Sequence, residues 1–289
     1  MNAYELLVAP FIEFEFMRRA LLGTALLSLS ASPVGVFLML RGMSLSGDAI
    51  SHAILPGAAL GFLLFGLQVL PMTIGGLMVG VAVALASGVV SRVTIQREDA
   101  SLAAFYLISL AIGVLVISWK GSSIDLMHVL FGTVLALDNQ ALRIIAAISI
   151  TSAAVLAVIW RPLVAECLDP LFLRSVSRVG PFAHVVFLIL VVLSLVGGFQ
   201  AVGTLLAVGL MILPAAAARF WTRHLNSMCV LAVLFGLSSN LAGLILSFHL
   251  SAASGPAIIL MAGLVYAASL VFGRQGLLAR RPPLRHRTA

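Results

Sequence analysis

Asp48 and His52 lie four residues apart in the stretch RGMSLSGDAISHAILPG, residues 41–57, between two long apolar runs. On a helix this spacing puts a carboxylate and an imidazole on one face, one turn apart. The two groups make a sensible ligand set for a borderline divalent cation such as zinc or manganese. An ionisable side chain near a membrane interior costs about 2.5–3.5 kcal/mol and marks function by default. The flanking residues Ser44, Ser46, Gly47, Ala49, Ser51, Ala53 and Gly57 are small, which lets helices approach closely. One chain offers only two ligands, whereas a two-fold homodimer offers four, enough for a four-coordinate site. The spacing also admits a plainer reading, with Asp48 as an N-cap where an apolar run begins and His52 as an ordinary polar residue.

Other polar residues carry weaker signals. Asp125 and His128 are three apart; they could meet an incoming metal ion, or simply be solvated surface. His249 reads as a surface residue, His184 as a satisfied histidine at a helix start, and His224 and His286 as members of basic loops. Cys167 and Cys229 form no CxxC pair and read as packing residues. The run 201–214 places glycines and Pro214 inside an apolar segment. A proline there kinks a helix, so this segment is either a moving wall or a close-packed one.

The elements that must hold these residues follow from composition. The 289-residue chain is 62% hydrophobic and 9% charged, against about 25% charge in a soluble domain. It reads as an all-α integral membrane protein, because each segment in lipid must satisfy its own backbone hydrogen bonds. The runs are too uniformly apolar for barrel strands. Nine candidate spans are expected, near 20–40, 50–69, 72–91, 99–118, 143–160, 182–196, 200–218, 228–248 and 256–272. Gly197-Gly198-Phe199 alone separates two of them, so a hairpin or a bent helix is expected there, and eight crossings remain an alternative. The whole chain, 1–289, reads as one transmembrane domain. Residues 1–19 form an external interfacial segment in which FIEFEF alternates apolar and acidic side chains. With no leading basic cluster, a cleaved signal peptide is not expected.

Orientation follows from Arg and Lys. If the basic tail 273–289 is cytoplasmic, thirteen of the 17 basic residues fall in inner segments and Arg18, Arg19, Lys120 and Arg143 fall outside. The net charge of +7 then sets topology and does not signal nucleic acid. The inner loop 161–181 begins at Pro162, turns at Asp169-Pro170 and continues as a short helical pattern to Gly180. Asp169 suits a cap and Pro170 the first turn. Such a helix either docks a soluble partner or lies on the membrane. No Gly-x-x-x-x-Gly-Lys phosphate loop is present, so energy for active transport must come from a gradient or another polypeptide. Neither His-Glu-x-x-His nor Gly-x-Ser-Gly occurs, which argues against an intramembrane protease, and no enzymatic activity is expected.

Several stretches together resemble the membrane permease subunits of zinc and manganese ABC importers, which share a fold with vitamin B12 and siderophore permeases. They are residues 41–57, REDASLAAFY at 97–106 followed by Ala111-Ile112-Gly113, Leu130-Phe131-Gly132, Asp169-Pro170, VGTLL at 202–206 through LPAAAAR at 213–219, Leu246-Ser247 and Ser254-Gly255. The resemblance implies a multi-pass protein of the inner (plasma) membrane working as a homodimer. It implies two cytoplasmic ATP-binding subunits docked on the inner loops, and an extracytoplasmic metal-binding protein that delivers the ion. By the same resemblance Asp48 and His52 contact the metal, and Asp169–Gly180, including Pro170 and Arg174, is the segment that couples to the ATPase. Arg18 and Arg19 would face acidic groups of the binding protein or anchor the membrane. The cargo is expected to be Zn2+ ahead of Mn2+, with no tightly bound cofactor. The alternatives are a permease for a chelated metal or cofactor, and a gradient-driven metal carrier.

Overall fold

The computed structural model describes residues 8–66, 68–119, 137–168 and 179–278. Those residues form helices and turns and contain no strand. A short α1 (Ala9–Glu13) precedes α2 (Glu15–Leu40), α3 (Ser44–Phe65), α4 (Val69–Val93) and α5 (Glu98–Trp119). Then follow α6 (Asn139–Leu168), α7 (Val179–Val202), α8 (Thr204–Arg219), α9 (Leu225–Leu250) and α10 (Ser254–Phe272). Eight of these are long and apolar enough to cross a membrane, and α8, at 16 residues, is shorter.

α8 nevertheless runs from end to end of the bundle. Its first turns pack in a cluster with Met17, Ala20, Leu137, Leu244 and Ile258. Beyond its last turn the Phe220 carbonyl accepts a hydrogen bond from Gln275 N, 2.8 Å, just past α10. It therefore spans the same two ends as the 19-residue α10. Lipid does not surround it: Leu206, Leu210, Met211, Ala215, Ala217 and Ala218 are buried. At Gly35 a Cβ would lie 1.8 Å from the Met211 carbonyl oxygen, so α2 and α8 touch backbone to backbone. The part of the run 201–214 that lies in α8 is thus close-packed.

Three boundaries differ from the sequence expectation. α7 continues through Gly197-Gly198-Phe199 to Val202, and the corner is Gly203, whose φ of 83° suits a residue without Cβ. Around that corner the chain folds back, since a Cβ on Gly198 would meet Ala207 Cβ at 2.5 Å. α6 keeps Pro162 inside the helix and ends at Leu168; at its start Asp138 Oδ1 caps Ala141 N at 2.7 Å. α3 begins at Ser44 instead of near 50.

The main core joins α2, α3, α6, α7 and α8 around Phe37, Ile50, Ile54, Leu163, Phe187 and Val191. Most helices are apolar on every side, as expected for segments that meet lipid outside and protein inside.

Candidate metal site on α3

The early start of α3 removes the N-cap reading of Asp48. The residue preceding the helix is Met43, and Asp48 lies in the second turn, so Asp48 is not an N-cap. By helix rise, Asp48 and His52 stand about 6 and 12 Å from the helix start. His52 Nε2 is 3.7 Å from Asp48 Oδ1. That is beyond a hydrogen bond and leaves both atoms free to face one ion.

Neighbouring helices hold the rest of α3. At Gly57 a Cβ would lie 2.1 Å from the Gly75 carbonyl oxygen, so α3 and α4 are in backbone contact. On the α5 side, Ser109 Oγ donates to the Ala53 carbonyl at 3.2 Å, and Pro56 packs against Gly113. Gly47 faces Met211 of α8. With those faces covered, the Asp48 side chain remains 63% exposed and that of His52 35%. The Tyr106 ring of α5 lies 6.4 Å from the His52 ring. Tyr106 was not legible as a neighbour from sequence, where it is one aromatic in an apolar run.

No group of three or more His, Cys, Asp and Glu is arranged to hold a metal ion among the described residues. The chain thus brings together one carboxylate and one imidazole whose side chains are not buried. Asp169, Pro170 and Arg174 lie outside the described residues, as do Asp125 and His128. Gly180 is the second residue of α7. His249 stacks edge-on against Phe248, His224 immediately precedes α9, and Cys229 is buried in the core.

A second polar constellation, not read from the sequence, sits where α2, α5, α6 and α7 meet. Arg41 Nη2 reaches Glu166 at 3.0 Å and His184 Nδ1 at 2.7 Å. His184 Nε2 is 2.9 Å from Glu98 Oε1. An arginine has only donors, so His184 Nδ1 accepts from Arg41, while Nε2 faces the Glu98 carboxylate. The four residues come from four helices, and only the fold brings them together.

The sequence matches the ABC 3 transport family over residues 13–273. It is 33% identical over 274 residues to the manganese transport system membrane protein MntC of Listeria monocytogenes, covering 94% of this chain and 96% of that one. It is 29% identical over 282 residues to the chelated iron transport system membrane protein YfeC of Yersinia pestis, covering 96% and 93%. The fold resembles PsaBC of Streptococcus pneumoniae, solved in complex with Fab, with a TM-score of 0.82, 31% identity and coverage of 95% and 97%.

Proposed function

We propose that this chain, a member of the ABC 3 transport family, forms the pathway of an ATP-driven importer of a divalent metal ion as a homodimer. The observation that carries this reading is the Asp48–His52 pair, side by side on α3 with neither side chain buried. Two copies related by a two-fold axis supply two carboxylates and two imidazoles, and the site is incomplete without the second copy.

A bare dication cannot cross lipid, so ligands must replace its water and then release it. A site split between two chains does both, because separating the halves halves the ligand set. ATP hydrolysis belongs to separate cytoplasmic subunits docked on the segment that contains Asp169, Pro170, Arg174 and Gly180. An extracytoplasmic protein presents the ion. MntC is named for manganese and YfeC for chelated iron, so manganese takes precedence over the zinc favoured from sequence. An imidazole–carboxylate set accepts either.

The chelated-iron relative makes a permease for chelated metal the second reading. The deciding experiment is uptake of radiolabelled manganese, zinc and chelated iron by cells expressing the permease with its ATPase and binding protein. Uptake of free ion that is lost in Asp48→Ala and His52→Ala supports the proposal. Uptake of chelate alone, indifferent to both substitutions, refutes it.

A further inference from the structure

We propose that Glu166, Arg41, His184 and Glu98 form a positioning relay that passes movement of the adjoining ends of α6 and α7 to the inner ends of the two helices beside the metal pair. This rests on the reading above, in which the ATPase docks between those two helices.

The placement carries the inference. Glu166 is two residues from the end of α6, and His184 is in the second turn of α7; these two helices bracket 169–178. Arg41 closes α2, and Glu98 opens α5. The relay thus ties both flanks of the segment to α2 and α5.

Each far end leads to the site. Arg41-Gly42-Met43 is the whole connection from α2 to α3. That turn is pinned by Gly42 N to Met39 O and Met43 N to Leu38 O, both 3.0 Å, with Gly42 at φ 72°. A shift of Arg41 is therefore delivered to Ser44 and so to the helix bearing Asp48 and His52. Glu98 begins the helix that carries Tyr106, the ring beside His52.

The relay is stiff yet incompletely paired. Side chains of Glu166 and His184 are 5% and 6% exposed, and the Arg41 guanidinium lies 5.0 Å over the Phe187 ring. Arg41 Nη1 and Glu166 Oε2 are buried without a hydrogen-bond partner among the described residues. A saturated buried network is a static clamp. A spare donor and a spare acceptor beside a cavity of about 610 Å³ lined by Ser91, Gln96 and Cys167 give this one a second arrangement to enter. Elements with two discrete arrangements are what carry coupling between distant sites.

The test uses the complete complex of permease, ATPase and binding protein in proteoliposomes, reading manganese taken up per ATP hydrolysed. His184→Ala should keep ATPase activity within about twofold while uptake falls at least about 10-fold. His184→Gln, which restores one acceptor and one donor, should recover most of the ratio. If His184→Ala does not assemble, Arg41→Met with Glu166→Met decides the matter: removing both charges leaves none buried alone, so folding is retained. Loss of the ratio in that double variant supports the relay. A wild-type ratio in either His184→Ala or the double variant overturns it, as does equal failure of Gln and Ala at 184. Wild-type complex that takes up no ion at all refutes the function instead.

Discussion

His52 Nε2 and Asp48 Oδ1 stand 3.7 Å apart on the open face of α3, too far to satisfy each other and close enough to grip one ion from two sides. An acid and an imidazole that were bonded to each other would have to part before binding metal. Here little rearrangement is needed, and the helix sets their spacing.

Under the proposed function, removing either side chain should act on transport and not on the fold. Asp48→Ala and His52→Ala are each expected to lower uptake by at least about 100-fold, the upper end for disturbing even an outer partner of a metal ligand. Size-exclusion chromatography should show the oligomeric state unchanged. Uptake near wild type in the double variant would remove the assignment.

The α3–α4 contact gives a stability prediction. Gly57→Ala drives a methyl into the Gly75 carbonyl and should cost about 1–3 kcal/mol, as overpacking does. Gly263→Ala, where a Cβ meets nothing within 4 Å, should be neutral or stabilising by about 0.5–1 kcal/mol. Thermal unfolding in detergent compares the two.

Glu166 and Arg41 should behave as a pair. Glu166→Leu strands a buried guanidinium and is expected to cost about 3–5 kcal/mol, while Arg41→Met with Glu166→Met should recover most of that. A double-mutant cycle on unfolding midpoints reads the coupling. Additive losses would mean the two side chains do not depend on each other.

Gly203→Ala places a Cβ at φ 83° and should cost about 1–3 kcal/mol. The loss should be larger than for Ala substitution at Gly209, which lies within α8.

Topology is open to a labelling test. A single cysteine at Arg97 should react with a membrane-impermeant maleimide only from the inner side, and one at Ser251 only from the outer side. The reverse pattern would invert the orientation drawn from Arg and Lys.

Asp48 and His52 were legible in the sequence because four-residue spacing needs no tertiary knowledge. The start of their helix was not, since Ser44, Ser46, Gly47 and Ser51 lower hydropathy although Ser46 and Ser51 are buried among neighbours. A hydropathy window registers polarity and misses protein-lined surroundings. The corner at Gly203 was misplaced for a related reason: Gly197 and Gly198 look like a break, yet they serve close packing, Gly198 beneath Ala207 and Gly197 against Ile148. The Glu166–Arg41–His184–Glu98 contacts were out of reach, because Arg41 and His184 are 143 residues apart and no local pattern joins them. The spans, by contrast, followed from the lengths of apolar runs: among the described residues eight helices are long and apolar enough to cross a membrane, and the ninth run became the shorter α8.

The enclosed position of α8 has a consequence for the host membrane. At 16 residues it measures about 24 Å, short of a hydrocarbon layer of about 30 Å. A lipid-facing helix of that length would have to thin the bilayer or recruit snorkelling side chains. Screened by its neighbours, α8 escapes hydrophobic mismatch. Changes in acyl-chain length should register on the outer helices and leave this inner strut indifferent.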